Sequence, residues 1–170
     1  GGTVVNGTGA PGVAADVGIT DGKIAALGDL SDAGAGRSID AAGLTVAPGF
    51  IDTHAHSDGA LLLDPQHANG LRQGITTEIL GQDGLSYAPL SPEGYRMYRW
   101  YLSGAYGLPP EDIARGSVDA FLGTYHNRTA INVAYPVPHG ALRINSVGFH
   151  DRPLTGDALK TARAVLAEGM

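Results

Sequence analysis

Pro48-Gly49-Phe50-Ile51-Asp52-Thr53-His54-Ala55-His56-Ser57-Asp58 is the stretch on which the fold turns. An apolar run, opened by the turn dipeptide Pro48-Gly49, leads directly into His-x-His. Residues two apart in a β-strand share a face. Read as a strand over Phe50–His56, the segment sets the His54 and His56 imidazoles side by side at the end of a buried strand, with Asp52 on the same face. Two imidazoles so placed are half of a metal site. Taken as a bare triplet, His-x-His can also be read as two surface histidines in a loop, but a solvated loop has no need of the flanking Gly-Phe-Ile.

Upstream, residues 1 to 47 read as short strands and turns. Ala14–Thr20 and Lys23–Leu27 flank Asp21-Gly22, the strongest short hairpin signal in the chain, because both central positions of such a turn require positive φ. Asp29–Arg37 is small and polar and reads as a loop, and Ser38–Val46 as a further strand. The expectation is a small β domain over 1–47, part of a β-sandwich.

Downstream, strands and helices alternate. The spacing predicts a helix over Pro65–Gln73 with Asp64 as N-cap, and a strand over Gly74–Leu80. Helices follow over Pro92–Leu102 and Ser117–His126, then a strand over Ile131–Val137. The last predicted element is a helix over Asp157–Glu168, capped by Thr155 or Asp157, with Leu159, Ala162, Val165 and Leu166 on one face. Strand–helix alternation means parallel β/α units with right-handed crossovers. Three such strands make either an open sheet or part of a barrel, and pattern alone does not separate the two.

Composition bounds the function. The chain has 170 residues, 43% hydrophobic and 16% charged, with a net charge of −6 that argues against a nucleic-acid partner. No apolar run reaches the roughly 18 residues of a membrane span. With no cysteine, disulfides and thiolate metal ligands are excluded. The cytoplasm is the expected compartment. Without an initiator Met, and with Met170 following a helical pattern that has no closing element, the chain reads as part of a longer one.

PGFIDTHAHSD resembles the first barrel strand of the amidohydrolase superfamily. Gly74-Ile75-Thr76-Thr77-Glu78-Ile79-Leu80-Gly81-Gln82-Asp83-Gly84-Leu85-Ser86-Tyr87-Ala88-Pro89-Leu90 resembles the second-strand signature of the N-acyl-D-amino-acid deacylase (D-aminoacylase) family, and Asn132–Arg143 its third strand. The resemblance implies an α/β fold: the first strands and helices of a TIM-like (β/α)₈ metal-dependent hydrolase barrel over 48–170. It implies Zn²⁺, one ion or two, or another divalent metal, with His54 and His56 as ligands. The active site of such a barrel lies at the carboxyl ends of its strands, where Asp83 and His139 also fall.

Asp83 stands where the family usually carries cysteine. A carboxylate replaces the thiolate as an anionic ligand but is harder, so other divalent ions compete better with zinc; otherwise Asp83 only forms an Asx-turn before Gly84. Pro138 also departs from the family's Gly-His-Gly. His139 is expected to bind substrate, or to be a satisfied loop histidine. Arg143 either pairs with a substrate carboxylate through its guanidinium fork or makes a structural ion pair. Asp52 is expected to orient a ligand, and Asp58 to support the site or cap the following segment. Glu78, inside a strand, would need a partner if it faces the core. His67, His126 and His150 have no partner at ligand spacing and read as surface or packing residues. Tyr95, Tyr98, Trp100, Tyr101 and Tyr106 read as helix packing, a pocket wall or a subunit contact.

The implied activity is hydrolysis of the amide bond of N-acyl-D-amino acids, metal-activated water attacking the acyl carbonyl, with the catalytic base expected beyond Met170. The alternatives are a cyclic amidase of hydantoinase or dihydroorotase type, or a non-catalytic fragment.

Overall fold

A computed structural model describes residues 1–170 and divides them into two compact units, Gly1–Gly49 and Phe50–Met170. The first unit holds β1 (Gly2–Val4), β2 (Val13–Thr20), β3 (Lys23–Gly28) and β4 (Thr45–Val46) in one sheet of order β3-β2-β1-β4. β2 and β3 form the expected hairpin: Thr20 pairs with Lys23, and Asp21 and Gly22 take φ of 50° and 72°. β1 pairs antiparallel with β2 and parallel with β4. Of the strand expected over Ser38–Val46 only Thr45–Val46 forms, because the preceding polar residues make their own turns, as where Asp40 accepts the Ala42 N–H. The unit is a single four-stranded sheet, and Ile19, Ile24 and Leu27 are exposed on it.

The second unit is built on β5 (Phe50–Asp52), β6 (Ile75–Ile79) and β7 (Asn132–Ala134), three parallel strands in that order. Between β5 and β6 lie two single turns, α1 (Ala60–Leu63) and α2 (Ala68–Leu71). The helix expected over Pro65–Gln73 is thus cut to its middle. Asp64 closes α1 instead of capping a helix, and His67 sits in the left-handed region with φ 44°, which no continuous helix passes through. The excursion between β6 and β7 carries a 3₁₀ turn (Gln82–Gly84), α3 (Pro92–Tyr101), α4 (Ser103–Tyr106) and α5 (Val118–Leu122). Ser91 caps α3 through the Gly94 N–H, and Ser117 caps α5 through the Ala120 N–H.

After β7 come α6 (His139–Val147) and α7 (Gly156–Gly169). On α7, Ala162 is buried and Leu159 and Val165 are half-buried, but Leu166 turns outward. Thr155 stands at its N-cap position without a side-chain bond to the helix.

The core is rich in tyrosine: Tyr87, Tyr95, Tyr98, Tyr106 and Tyr125 pack with Leu61, Leu80 and Phe121. A buried phenol needs a partner for its hydroxyl. Tyr87 donates to the Gly107 carbonyl, Tyr95 to Pro110, Tyr106 to Gln82 and Tyr125 to Asp58. The aromatic-rich α3 is therefore mainly packing: Tyr95 and Tyr98 are buried, whereas Trp100 and Tyr101 face solvent. No helix is long and apolar enough to cross a membrane.

Candidate metal centre

β5 ends at Asp52, earlier than the pattern suggested, and Phe50 and Ile51 are exposed rather than buried because β5 is an edge strand of this sheet. His54 and His56 therefore lie in the loop after the strand, not on its pleat. What brings them together is local turn chemistry. Asp52 Oδ1 accepts the His54 N–H at 3.0 Å, an Asx-turn that folds the chain back on itself. The two rings meet edge to face with centroids 5.0 Å apart. His56 is held on its other side by Tyr106, 4.6 Å away, and its Nδ1 is buried without a partner.

Asp83 approaches from the loop after β6. Gly81, Asp83 and Gly84 all have positive φ, which winds the loop tightly and turns the Asp83 carboxylate toward the histidines. Only small or Asx residues adopt that backbone readily. A Cβ on Gly81 would also come within 3.1 Å of the Pro136 carbonyl. Asp83 Oδ2 lies 3.5 Å from His54 Nε2 and 3.4 Å from His56 Nε2. Those separations are too long for good hydrogen bonds. They match the edge of a coordination tetrahedron, since two ligands at about 2.1 Å from a zinc ion stand roughly 3.4 Å apart. All three donor atoms lie within 4.8 Å of one another. The donor set, two imidazole nitrogens and one carboxylate oxygen, fits a divalent cation on this geometry.

His139 opens α6 and is exposed; its Cβ lies against Gly84, 3.4 Å from where a Cβ there would stand. Arg143, one turn further along α6, gives one guanidinium N–H to the Arg152 carbonyl at 2.8 Å rather than to a carboxylate. Neither belongs to the three-residue cluster.

Two buried carboxylates take partners that the sequence reading left open. Glu78 is buried, and its Oε1 lies 2.7 Å from His67 Nε2, so His67 is a partner of Glu78 rather than an unpartnered surface residue. The contact lacks the alignment of a hydrogen bond, and Glu78 Oε2 has no partner. No local spacing announces this pair, because it forms only when α2 folds onto β6. The second is Asp58, fully buried, whose Oδ1 accepts the Gly81 N–H at 3.0 Å and the Ser86 hydroxyl. Burial pushes its carboxyl up to about 6, against the lowering effect of those hydrogen bonds and of nearby His56. The His-x-His-x-Asp spacing was its only sequence signal.

Fold and site together define an α/β protein with a candidate metal centre beyond the carboxyl ends of a parallel sheet. The profile described as "Amidohydrolase family" matches residues 37–167, and the chain belongs to that family. Along its whole length it is 36% identical to the D-aminoacylase of Alcaligenes xylosoxydans xylosoxydans, covering 34% of that protein. A solved D-aminoacylase, studied for the role of its binuclear metal centre, superposes with a TM-score of 0.81 at 35% identity over 99% of this chain and 35% of its own. An N-acyl-D-glutamate deacylase from Bordetella bronchiseptica, solved with zinc and a phosphonate mimic of the tetrahedral intermediate, gives 0.82 at 32% identity with the same coverage. The chain thus spans about a third of the length of these relatives.

Proposed function

We propose that the protein carrying this chain hydrolyses the amide bond of N-acyl-D-amino acids with the help of a divalent metal, zinc first among the candidates. The observation that carries the reading is the convergence of His54 Nε2, His56 Nε2 and Asp83 Oδ2. The relatives support it, being D-amino-acid deacylases with metal at their centres. The chain's place in them corresponds to the opening arc of a larger (β/α) barrel, preceded by part of a small β domain over residues 1–47.

His54, His56 and Asp83 would hold the ion. Bound there, a divalent cation polarises a carbonyl and makes a nearby water more acidic. The chain's own residues preorganise that chemistry. Tyr106 packs on the His56 ring and donates its hydroxyl to the Gln82 carbonyl, so one side chain steadies both loops. His139, against the Asp83 loop, is suited to hydrogen-bonding a substrate polar group. Arg143 retains free guanidinium N–H groups for the substrate carboxylate beside its bond to Arg152.

The test is a hydrolysis assay of the full-length protein, before and after chelation and metal return, with N-acyl-D-amino acids, their L-enantiomers and cyclic amides such as hydantoins. Metal-dependent turnover of the acyl-D-amino acids is expected. Turnover confined to cyclic amides would replace this reading by the cyclic amidase, and none on any amide would leave the non-catalytic account.

A further inference from the structure

We propose that Asp58 is a positioning residue that sets the geometry of the metal centre by tying together the two loops that carry its donors. The inference rests on the metal reading of His54, His56 and Asp83.

The donors come from separate segments. His54 and His56 follow β5, and Asp83 follows β6, so three atoms from two independent loops must converge to within a few tenths of an ångström. Asp58 lies in the first loop, two residues after His56, with no solvent exposure. Its Oδ1 reaches across to the second loop and accepts from Gly81 N–H, at 3.0 Å, and from the Ser86 hydroxyl. Gly81 and Ser86 bracket Asp83, so both ends of the loop are held by one oxygen. Ser86 is itself fully buried. Asp58 is anchored in turn by its main chain, whose carbonyl accepts the Tyr125 hydroxyl at 2.7 Å.

A second observation links Asp58 to the ligand His56. Asp58 Oδ2 and His56 Nδ1 are both buried without partners in the same loop. When Nε2 of a histidine faces a cation, Nδ1 carries the proton and needs an acceptor, and a carboxylate is the usual one. Asp58 Oδ2 is an unpartnered carboxylate oxygen two residues along the chain, not in contact with Nδ1 in the metal-free structure, and it is the acceptor we assign to that proton when the ion is bound.

The decisive experiment is a Co²⁺ titration of the purified protein, followed by d–d absorption and checked by Zn²⁺ competition, with thermal melting of the metal-free forms alongside. Wild type, Asp58→Ala, Asp58→Asn and Ser86→Ala are compared. We expect Asp58→Ala to lose roughly 10- to 100-fold in affinity and to change the cobalt spectrum. Asp58→Asn keeps an oxygen for Gly81 and Ser86 and should recover part of that affinity. Ser86→Ala should lose less than Asp58→Ala. Wild-type affinity and spectrum in Asp58→Ala, even with a lower melting temperature, would overturn the proposal. If Asp58→Ala does not fold, the other two variants decide: weakened binding in either supports the proposal, and unchanged binding in both overturns it. A wild type that takes up no Co²⁺ would sink the metal reading and this inference together, an outcome distinct from a wild type that binds and an Asp58→Ala that binds equally well.

Discussion

Asp83 carries two separable properties, a left-handed backbone and a carboxylate aimed at two imidazoles. Asparagine tolerates the same backbone but lacks the anionic donor. Asp83→Asn should therefore melt near wild type while losing roughly tenfold or more in metal affinity, which paired melting curves and metal titrations would check. Asp58 makes a pH prediction. Its folded-state carboxyl is raised from 3.8 to about 6, so the native state holds the proton more tightly than the unfolded chain. In the metal-free protein its contribution to stability is greatest below pH 3.8 and falls as pH rises from there to about 6, by on the order of 3 kcal/mol. Urea unfolding of wild type and Asp58→Asn across that window should show a slope in the first that is reduced in the second. At this scale the sequence was most legible where chemistry is local. His54 and His56 declare themselves by spacing, and Asp83 by its place after a strand. His67 and Glu78 do not, because eleven residues and a folded-back turn separate them, and only the tertiary structure makes them neighbours.

Among the elements, those whose ends are marked by side-chain chemistry were read well. α3 begins at Pro92 as expected, with Ser91 as the cap the structure adds, and α5 follows its expected cap Ser117. The same contrast is measurable. Ser91→Ala should cost about 1 kcal/mol through loss of its bond to the Gly94 N–H. Thr155→Ala, at an N-cap position where the side chain makes no such bond, should cost only a few tenths; chemical denaturation of both variants would separate them. Elements whose limits depend on packing were misjudged. β5 is three residues rather than seven, since an Asx-turn takes over at Asp52. α6 went unread because Pro136-Val137-Pro138 looks like open loop, although buried Ala141, Leu142 and Val147 and the positive-φ Gly148 after them mark a helix and its end. Its start is tightly constrained: a Cβ on Gly140 would stand 2.5 Å from the Tyr98 hydroxyl and 2.6 Å from the Gly84 carbonyl. Gly140→Ala should thus destabilise by about 1 to 3 kcal/mol and weaken metal binding with it, as the same denaturation and titration experiments would show.

Across the whole molecule, much apolar surface faces outward. Ile19, Ile24 and Leu27 on one unit, and Phe50 and Ile51 on the edge strand of the other, are each more than half exposed. Exposed strand edges and apolar faces invite association. The 170-residue chain produced alone should self-associate with concentration in light scattering and bind an apolar dye. Both effects should weaken in Ile24→Lys. Alternation of strands and helices made the parallel sheet legible, whereas the surfaces left bare could not be read, since burial depends on what lies against a residue rather than on the residue.

The tyrosines that fill the core have a further consequence. Tyr87, Tyr95, Tyr106 and Tyr125 each donate a hydrogen bond to a main-chain carbonyl, and burial raises the pKa of Tyr95 and Tyr98 to about 12 and those of Tyr87, Tyr106 and Tyr125 further. A phenolate can give no such bond, so the interior is a store of protons that strong base withdraws only by opening the structure. In alkali the buried phenols should ionise together, steeply, as the second unit comes apart, which absorbance of the phenolate against pH would check.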